Sequence, residues 1–181
     1  DDDKGEPIWY DDHTLIFWLT TVRGNRLFRA DISDLSSVTP ECLYLEPDDA
    51  QSSPHPWQHM SPAISPDREW LAFVRTGCQT PDDISSCTGI SLWVLQMSTA
   101  GVPPAEPVVW QVTSEVSRLE HPRWSPDGQK IVFSAGLDMG DSGAGSGTEL
   151  FTVDFDTTGL AAYVAGNGDM ALDRGLDRLT Y

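Results

Sequence analysis

Short runs of apolar residues, rich in β-branched and aromatic side chains, recur along the chain. Clear examples lie at 15–19, 71–74, 131–134 and 150–153, and most are closely bounded by Pro, Gly, Asp or Ser. Runs of this length and composition are typical of β-strands, and the residues that bound them are typical of turns. No window of eleven residues has a helical period with capping residues at its ends. The pattern therefore predicts an all-β protein.

A repeated unit organises these runs. Shifted by 60 residues, the segment 62–74 (PAISPDREWLAFV) aligns without a gap with 122–134 (PRWSPDGQKIVFS). Pro, Ser-Pro-Asp and Phe coincide in the two copies. A repeated supersecondary unit buries its faces by stacking on its neighbours, so the repeat predicts a stack of similar sheets.

A weaker copy of the unit lies near the start of the chain, at 7–19 (PIWYDDHTLIFWL). At an offset of 115 residues it places Trp9 on Trp124 and Asp12 on Asp127. The unit is therefore predicted to occur three times.

Each copy is expected to contain four strands. The first precedes the Ser-Pro-Asp turn and the second follows it. The third is expected at 26–31, 91–95 and 149–154, and the fourth at 42–45, 108–112 and 177–181. The predicted units cover 5–47, 48–116 with a linker at its start, and 117–181. Residues 1–4 (DDDK) resemble the end of a cleavage or epitope tag and are left out of the units.

The turn of the third unit has favourable chemistry for a hairpin. In WSPDG at 124–128, Pro sets φ near about −65°, Asp can bond its own backbone, and Gly supplies a left-handed position. Arg68 and His13 stand where this Gly does in the other units. Those two turns are expected to be looser or of another type.

The signature Pro-x-Trp-Ser-Pro-Asp-Gly, followed by an Ile-x-Phe strand, resembles the repeats of TolB-like β-propellers. The match is best over 121–181 and extends in weaker form over almost the whole chain. The resemblance implies a partial β-propeller of three four-stranded antiparallel blades. Such blades serve in periplasmic scaffold proteins, in sensor ectodomains and as gating domains of prolyl-oligopeptidase-type peptidases, so the motif specifies the fold rather than the function.

Three blades make an incomplete ring, because propellers close with about four to eight. The missing blades are expected from another polypeptide or from a second copy of this chain, and a three-bladed monomer is the third alternative. The first hypothesis is a non-enzymatic protein-binding or assembly module, part of a larger or oligomeric propeller. The alternative is the propeller (gating) domain of a prolyl-oligopeptidase-type hydrolase whose catalytic domain lies outside this sequence.

Composition narrows the classes of partner. The 181 residues include 28 Asp+Glu against 11 Lys+Arg, for a net charge of −17. This charge disfavours binding to a phosphate backbone, so no nucleic-acid partner is expected. With 39% apolar residues the chain is too hydrophobic for a disordered acidic tail. No apolar run approaches about 18 residues, so no membrane span is expected.

The cysteines give a hint about the compartment. Cys78 and Cys87 flank a polar segment, 79–86, between two predicted strands, where a disulfide would clip a hairpin loop. Such a bridge favours an extracytoplasmic location, periplasmic or secreted, whereas two free thiols remain the alternative. Cys42, inside an apolar run, is expected to be a buried strand residue.

No catalytic residue, cofactor or firm metal site is assigned. The segment 140–143 (GDSG) matches the nucleophile motif of trypsin-like proteases, but it lies in a glycine-rich loop and no matching histidine segment exists. Asp138 and Asp141 are weak calcium candidates without the Asp-x-Asp-x-Asp-Gly spacing. His55 and His59 have a zinc-like spacing but are expected in a surface loop, because Pro54 and Pro56 disfavour a helix.

The tryptophans divide into two predicted groups. Trp57 and Trp70 are the candidates for exposed contacts with a partner, because one lies in a linker and the other stands opposite Lys130 in the repeat. Four other tryptophans are expected between packed blades, where a large ring fills the space between sheets. They are Trp9, Trp93, Trp110 and Trp124.

Overall fold

The fold is taken from a computed structural model of the chain. Within it, three separate sheets account for the strands of the described residues. The structure describes residues 4–21, 24–44, 57–78, 87–98, 101–105, 108–113, 118–136, 148–157 and 177–179.

Each sheet is antiparallel and contains four strands in chain order, and each is called a blade below. The predicted all-β architecture of three four-stranded blades is therefore confirmed. Blade 1 contains β1 (Lys4–Trp9), β2 (Thr14–Thr21), β3 (Gly24–Asp31) and β4 (Glu41–Cys42). Blade 2 contains β5 (Trp57–Ile64), β6 (Trp70–Cys78), β7 (Cys87–Gln96) and β8 (Val109–Gln111). Blade 3 contains β9 (Arg118–Trp124), β10 (Lys130–Gly136), β11 (Glu149–Asp154) and β12 (Asp177–Arg178).

Blade 2 is buried on both faces. Successive residues of a strand point to opposite faces, and in β6 every residue from Leu71 to Val74 is buried. Leu71 and Phe73 pack against blade 1, whereas Ala72 and Val74 pack against blade 3. This explains why the apolar run at 71–74 is continuous rather than alternating, since a sheet covered on both sides has no solvent face.

The register of the strands aligns the three blades position by position. Phe17 pairs with Phe28 in blade 1, Phe73 with Trp93 in blade 2, and Phe133 with Phe151 in blade 3. In blades 2 and 3 this aromatic pair faces the preceding blade. The repeat seen in the sequence therefore places an aromatic pair on the same face of every sheet.

The Ser-Pro-Asp turns of blades 2 and 3 share one conformation. In each, the Ser hydroxyl donates to the Asp carboxylate and accepts the N–H of the residue that begins the next strand. Arg68 has a φ of 65° and Gly128 a φ of 71°, and each donates its N–H to the Ser carbonyl at 2.9 Å. The prediction of a looser turn at Arg68 is therefore wrong. The hydrogen bonds of the Ser and Asp side chains hold the turn in place, although Arg68 must adopt a left-handed backbone conformation that is costly for a residue other than glycine.

Blade 1 has a turn of another type, as expected for the unit with His13. The N–H of Tyr10 donates to the carbonyl of Thr14, so the turn is one residue shorter than those of the other blades. Asp11 accepts the N–H groups of His13 and Thr14, and the bond from His13 holds the pKa of the Asp11 carboxyl below its ordinary value. The gapless alignment that placed Asp12 on Asp127 is therefore wrong by one residue.

Candidate functional site

The first strand of each blade, β1, β5 or β9, is interrupted at the same point. Glu6, Ser61 and His121 have φ angles of 49°, 51° and 54°, in the left-handed region, and each precedes a proline. The strand pairing shifts register across each of these positions. Proline has no N–H for the ladder, and the resulting bulge redirects the neighbouring side chain. Because the bulge occurs at the same point in all three blades, it is a regular part of the blade structure.

The three bulge residues line one cavity of about 590 Å³. All three blades contribute to its wall, so it lies where the blades converge. Its apolar part includes Trp18 and Leu119. The other lining residues are Met60, Val74, Thr76, Ile90, Arg118 and Glu120.

Two carboxylates flank an imidazole in this cavity. The Nε2 of His121 lies 3.8 Å from Oε1 of Glu6, and its Nδ1 lies 3.9 Å from Oε2 of Glu120. Arg118 also binds Glu120, with Nε 2.9 Å from Oε1. Ser, His and Glu are the residue types of a hydrolytic triad, but the His121–Glu6 separation exceeds a hydrogen bond and both side chains are exposed. The lining therefore combines an apolar part with charged side chains of both signs.

The remaining chemical candidates fall largely outside the described residues. Asp138, Asp141 and the segment 140–143 lie there, and so does His55. Among the described residues, no group of three or more His, Cys, Asp and Glu side chains is arranged to hold a metal ion. The described chain likewise contains no helix with the length and apolar character needed to cross a membrane.

His59 departs from the expected surface loop. It lies in β5 and is fully buried, with its ring 6.0 Å from that of Tyr44 and 5.1 Å from that of Phe73. The strand begins at Trp57, directly after Pro56, so the linker is shorter than the sequence indicated. His59 helps to pack blade 1 on blade 2.

The predicted exposure of Trp70 is wrong. Only 8% of it is accessible, and its ring packs edge-on against Phe155 at 5.3 Å between blades 2 and 3. Trp9, expected between blades, is 60% exposed. Trp70 has blade 3 against its face, whereas the described residues include no sheet that covers Trp9. The side chain of Trp57 lies outside the described set.

The other strand tryptophans pack as expected. Trp110 is buried between blades 2 and 3, and Trp93 is half-buried between blades 1 and 2 with Arg75 over its ring at 4.4 Å. Trp124 packs edge-on against Phe155, and its Nε1 donates to the carbonyl of Ala63 at 2.9 Å. That bond ties blade 3 to blade 2.

The cysteines also divide. Cys42 is exposed rather than buried. It lies in β4, the last strand of blade 1, and pairs with Phe28 of β3 on the face of the sheet that no described blade covers. Cys78 and Cys87 stand directly opposite each other where β6 and β7 begin to pair. Their side chains lie outside the described set, so the disulfide stays a prediction.

Blade 1 presents an apolar surface, called here its outer face, formed by Trp9, Leu15, Phe17 and Phe28. The register makes Trp9 and Leu15 equivalent to Ile64 and Leu71 in blade 2, and Trp124 and Ile131 are their counterparts in blade 3. In blades 2 and 3 these positions pack on the preceding blade. In blade 1 they are half-buried or exposed. An apolar surface of this kind is the usual mark of an interaction site.

No protein-family model and no curated relative matches the sequence. Solved structures do resemble the fold. TolB from Acinetobacter baumannii matches with a TM-score of 0.51 and 16% identity, over 97% of this chain and 32% of that one. A protein assigned as TolB from Agrobacterium tumefaciens gives 0.55 and 16%, over 97% and 50%. A puromycin-hydrolysing peptidase from Mycobacterium tuberculosis gives 0.52 and 18%, over 83% and 22%.

These similarities define the class of fold, which is a β-propeller. More particularly, the chain has a TolB-like propeller fold, and within the described residues three sheets form a partial propeller rather than a closed ring. It spans about a third to a half of the length of the TolB structures it matches. At these identities the likeness establishes the fold alone.

Sequence reasoning missed the residues of the cavity and of the outer face. Glu6, Ser61 and His121 had a signal, since each stands immediately before the repeated proline. The outer face had a weaker signal, because the gapless repeat places Trp18 rather than Phe17 on Phe133, and only the strand register makes Phe17 the equivalent of Phe133. What the repeat could not give was which of the equivalent faces is left uncovered.

Proposed function

We propose that the chain is a non-enzymatic protein-binding or assembly module that forms part of a larger or oligomeric propeller. The observation that carries the proposal is the outer face of blade 1, where Trp9 is 60% exposed and Phe17 and Phe28 are only half-buried. Equivalent aromatic residues, such as Phe73 and Phe133, are fully buried under another blade. An exposed apolar surface of this kind is suited to binding a protein partner. The net charge of −17 disfavours binding to nucleic acid.

Photo-crosslinking from the outer face tests this function. A photoreactive phenylalanine analogue placed at position 9, in the protein expressed in its native host, is expected to give one discrete adduct identifiable by mass spectrometry. The same analogue at Leu35 is the control, because Leu35 is 79% exposed but lies outside the blade face. Equal labelling from both positions, or no adduct from position 9, contradicts a protein-binding role for this face.

The alternative is a propeller domain that serves a prolyl-oligopeptidase-type hydrolase. It is supported by the fold similarity to the puromycin-hydrolysing peptidase, whose chain is covered only to 22%. The same crosslinking experiment separates the two functions. An adduct with a polypeptide that also carries an α/β-hydrolase segment with Gly-x-Ser-x-Gly favours the alternative, and an adduct with a polypeptide of propeller blades that has no such segment favours the assembly module.

The opposed positions of Cys78 and Cys87 support a cross-strand disulfide and, with it, an extracytoplasmic location, periplasmic or secreted. The chain has three cysteines. Titration of the unfolded, unreduced protein purified from its host is expected to find one free thiol, that of Cys42, and three after reduction. Three free thiols before reduction contradict the bridge and remove the argument for export.

A further inference from the structure

The two ends of the blade stack differ in chemistry. From this difference we infer that the outer face of blade 1 receives a further propeller blade with aliphatic and aromatic side chains at defined positions, while the opposite face of blade 3 acts as a largely polar cap. The inference rests on the proposed assembly function and names the partner of that surface. It excludes one assembly in particular, a head-to-tail ring of two identical chains.

The contact between blades 2 and 3 shows what a covered face requires. On its side toward blade 3, blade 2 presents Trp70, Ala72, Val74 and Val94, all buried. Across from them, blade 3 presents Phe133 and other apolar residues of its face toward blade 2. Packing between blades is therefore apolar on both sides, as is general for stacked sheets.

The opposite face of blade 3 has lost much of this character. It keeps Val132 and Leu150, which the register places on Ala72 and Leu92 of blade 2, and Leu179 beside Leu150 is 51% exposed.

The strand register gives each position of this face an equivalent in blade 2. The pair Arg123 and Val132 in blade 3 corresponds to the pair Ala63 and Ala72 in blade 2. In the same way, the pair Ser134 and Leu150 corresponds to the pair Val74 and Leu92. Four apolar residues of blade 2 are replaced by polar or charged ones in blade 3. The replacements are Arg123 for Ala63, Lys130 for Trp70, Ser134 for Val74 and Thr152 for Val94.

Several polar groups of this face have partners within blade 3. The ammonium of Lys130 binds the carboxylate of Asp154 across the paired strands, and both side chains are half exposed. The hydroxyl of Ser134 donates to the carbonyl of Glu120 at 3.1 Å. Leu150 is 44% exposed beside these groups. Terminal repeats of stacked proteins carry a polar outer face of this kind, which keeps the end soluble.

Closing two copies head to tail would press this polar face onto the outer face of blade 1. Arg123 and the Lys130–Asp154 pair would then lose water against Trp9 and Phe17. Burying charges against apolar side chains without new hydrogen bonds is unfavourable. The preferred occupant of the outer face is therefore a blade that keeps small aliphatic and aromatic residues where blade 2 has Ala63, Trp70, Val74 and Val94. Such a contact continues the packing already present twice within the chain.

A graft onto blade 3 tests the inference with this chain as its own probe. The variant R123A/K130W/S134V/T152V/D154Q gives blade 3 the residues that blade 2 has at the same positions. Its mass by light scattering is expected to be at least twice the 19.9 kDa of one chain, because its blade 3 now fits the blade 1 of another copy. The wild type is expected to show no such head-to-tail association at the same concentration.

Adding Phe17→Ser to the graft is the matched control. It removes the aromatic residue at the centre of the outer face, so the mass is expected to return to that of one chain, with an unchanged circular-dichroism spectrum. A folded graft variant that stays monomeric overturns the inference, and so does association that survives Phe17→Ser. A wild-type mass of two chains that the graft does not raise also overturns it, because blade 3 would not then be a cap. These mass measurements do not affect the crosslinking experiment from position 9. The inference about blade 3 can therefore fail while the proposed protein-binding function still holds.

Discussion

Truncating Phe133 or Phe73 to alanine is expected to lower the free energy of unfolding by about 3–5 kcal/mol, whereas Phe17→Ala is expected to cost only about 1 kcal/mol. The three residues occupy the same position of their blades, with an aromatic partner directly across the sheet. Phe73 and Phe133 are fully buried between blades. Phe17 is half-buried, so its removal leaves no enclosed cavity.

Urea denaturation followed by tryptophan fluorescence and circular dichroism gives the three values on one scale. The m-value should change little, because each variant unfolds the same surface. Equal costs at the three positions would contradict an open outer face on blade 1, since they would mean that Phe17 is covered like the others. A cost below about 1 kcal/mol at Phe133 would contradict the packing of blade 3 on blade 2.

The repeat made the architecture predictable from the sequence. Strand composition, the Ser-Pro-Asp turns of two copies and the offsets of 60 and 115 residues were enough to place three four-stranded sheets, because the copies repeat similar local chemistry. The weak first copy was placed one residue out of register at its turn. A gapless alignment cannot show that Tyr10 and Thr14 close a turn one residue shorter than the others. The shorter turn is held by the hydrogen bonds of Asp11.

The candidate surfaces were harder to predict, because exposure is a property of the assembly. Trp9 and Trp70 are both strand tryptophans in an apolar context, yet one is 60% exposed and the other 8%. The difference comes from whether a blade lies against that face, and no local pattern contains this information. The central cavity required in addition that three bulges from distant segments converge, which depends on how the blades are arranged around it.

The second large effect is expected at Gly101, where blade 1 meets the segment that follows β7. Tyr10 is buried, and its hydroxyl donates to the carbonyl of Ser98 at 3.0 Å. The ring lies against Gly101 so closely that a Cβ there would be 2.8 Å from Cε1 of Tyr10. Gly101 also has a φ of 71°, in the region that favours glycine. Backbone and packing therefore both demand glycine at this position.

Gly101→Ala is expected to lower the free energy of unfolding by about 2–4 kcal/mol, from the left-handed φ and from overpacking against Tyr10 together. Gly128→Ala is the matched control, because Gly128 has the same φ of 71° but its nearest Cβ contact is 3.8 Å away. It is expected to cost about 1 kcal/mol, from the backbone alone. In a Tyr10→Ala background the cost of Gly101→Ala should fall to that of the control, since the ring is gone. Additive costs in this double-mutant cycle, measured by urea denaturation, would mean that Tyr10 does not hold blade 1 against Gly101.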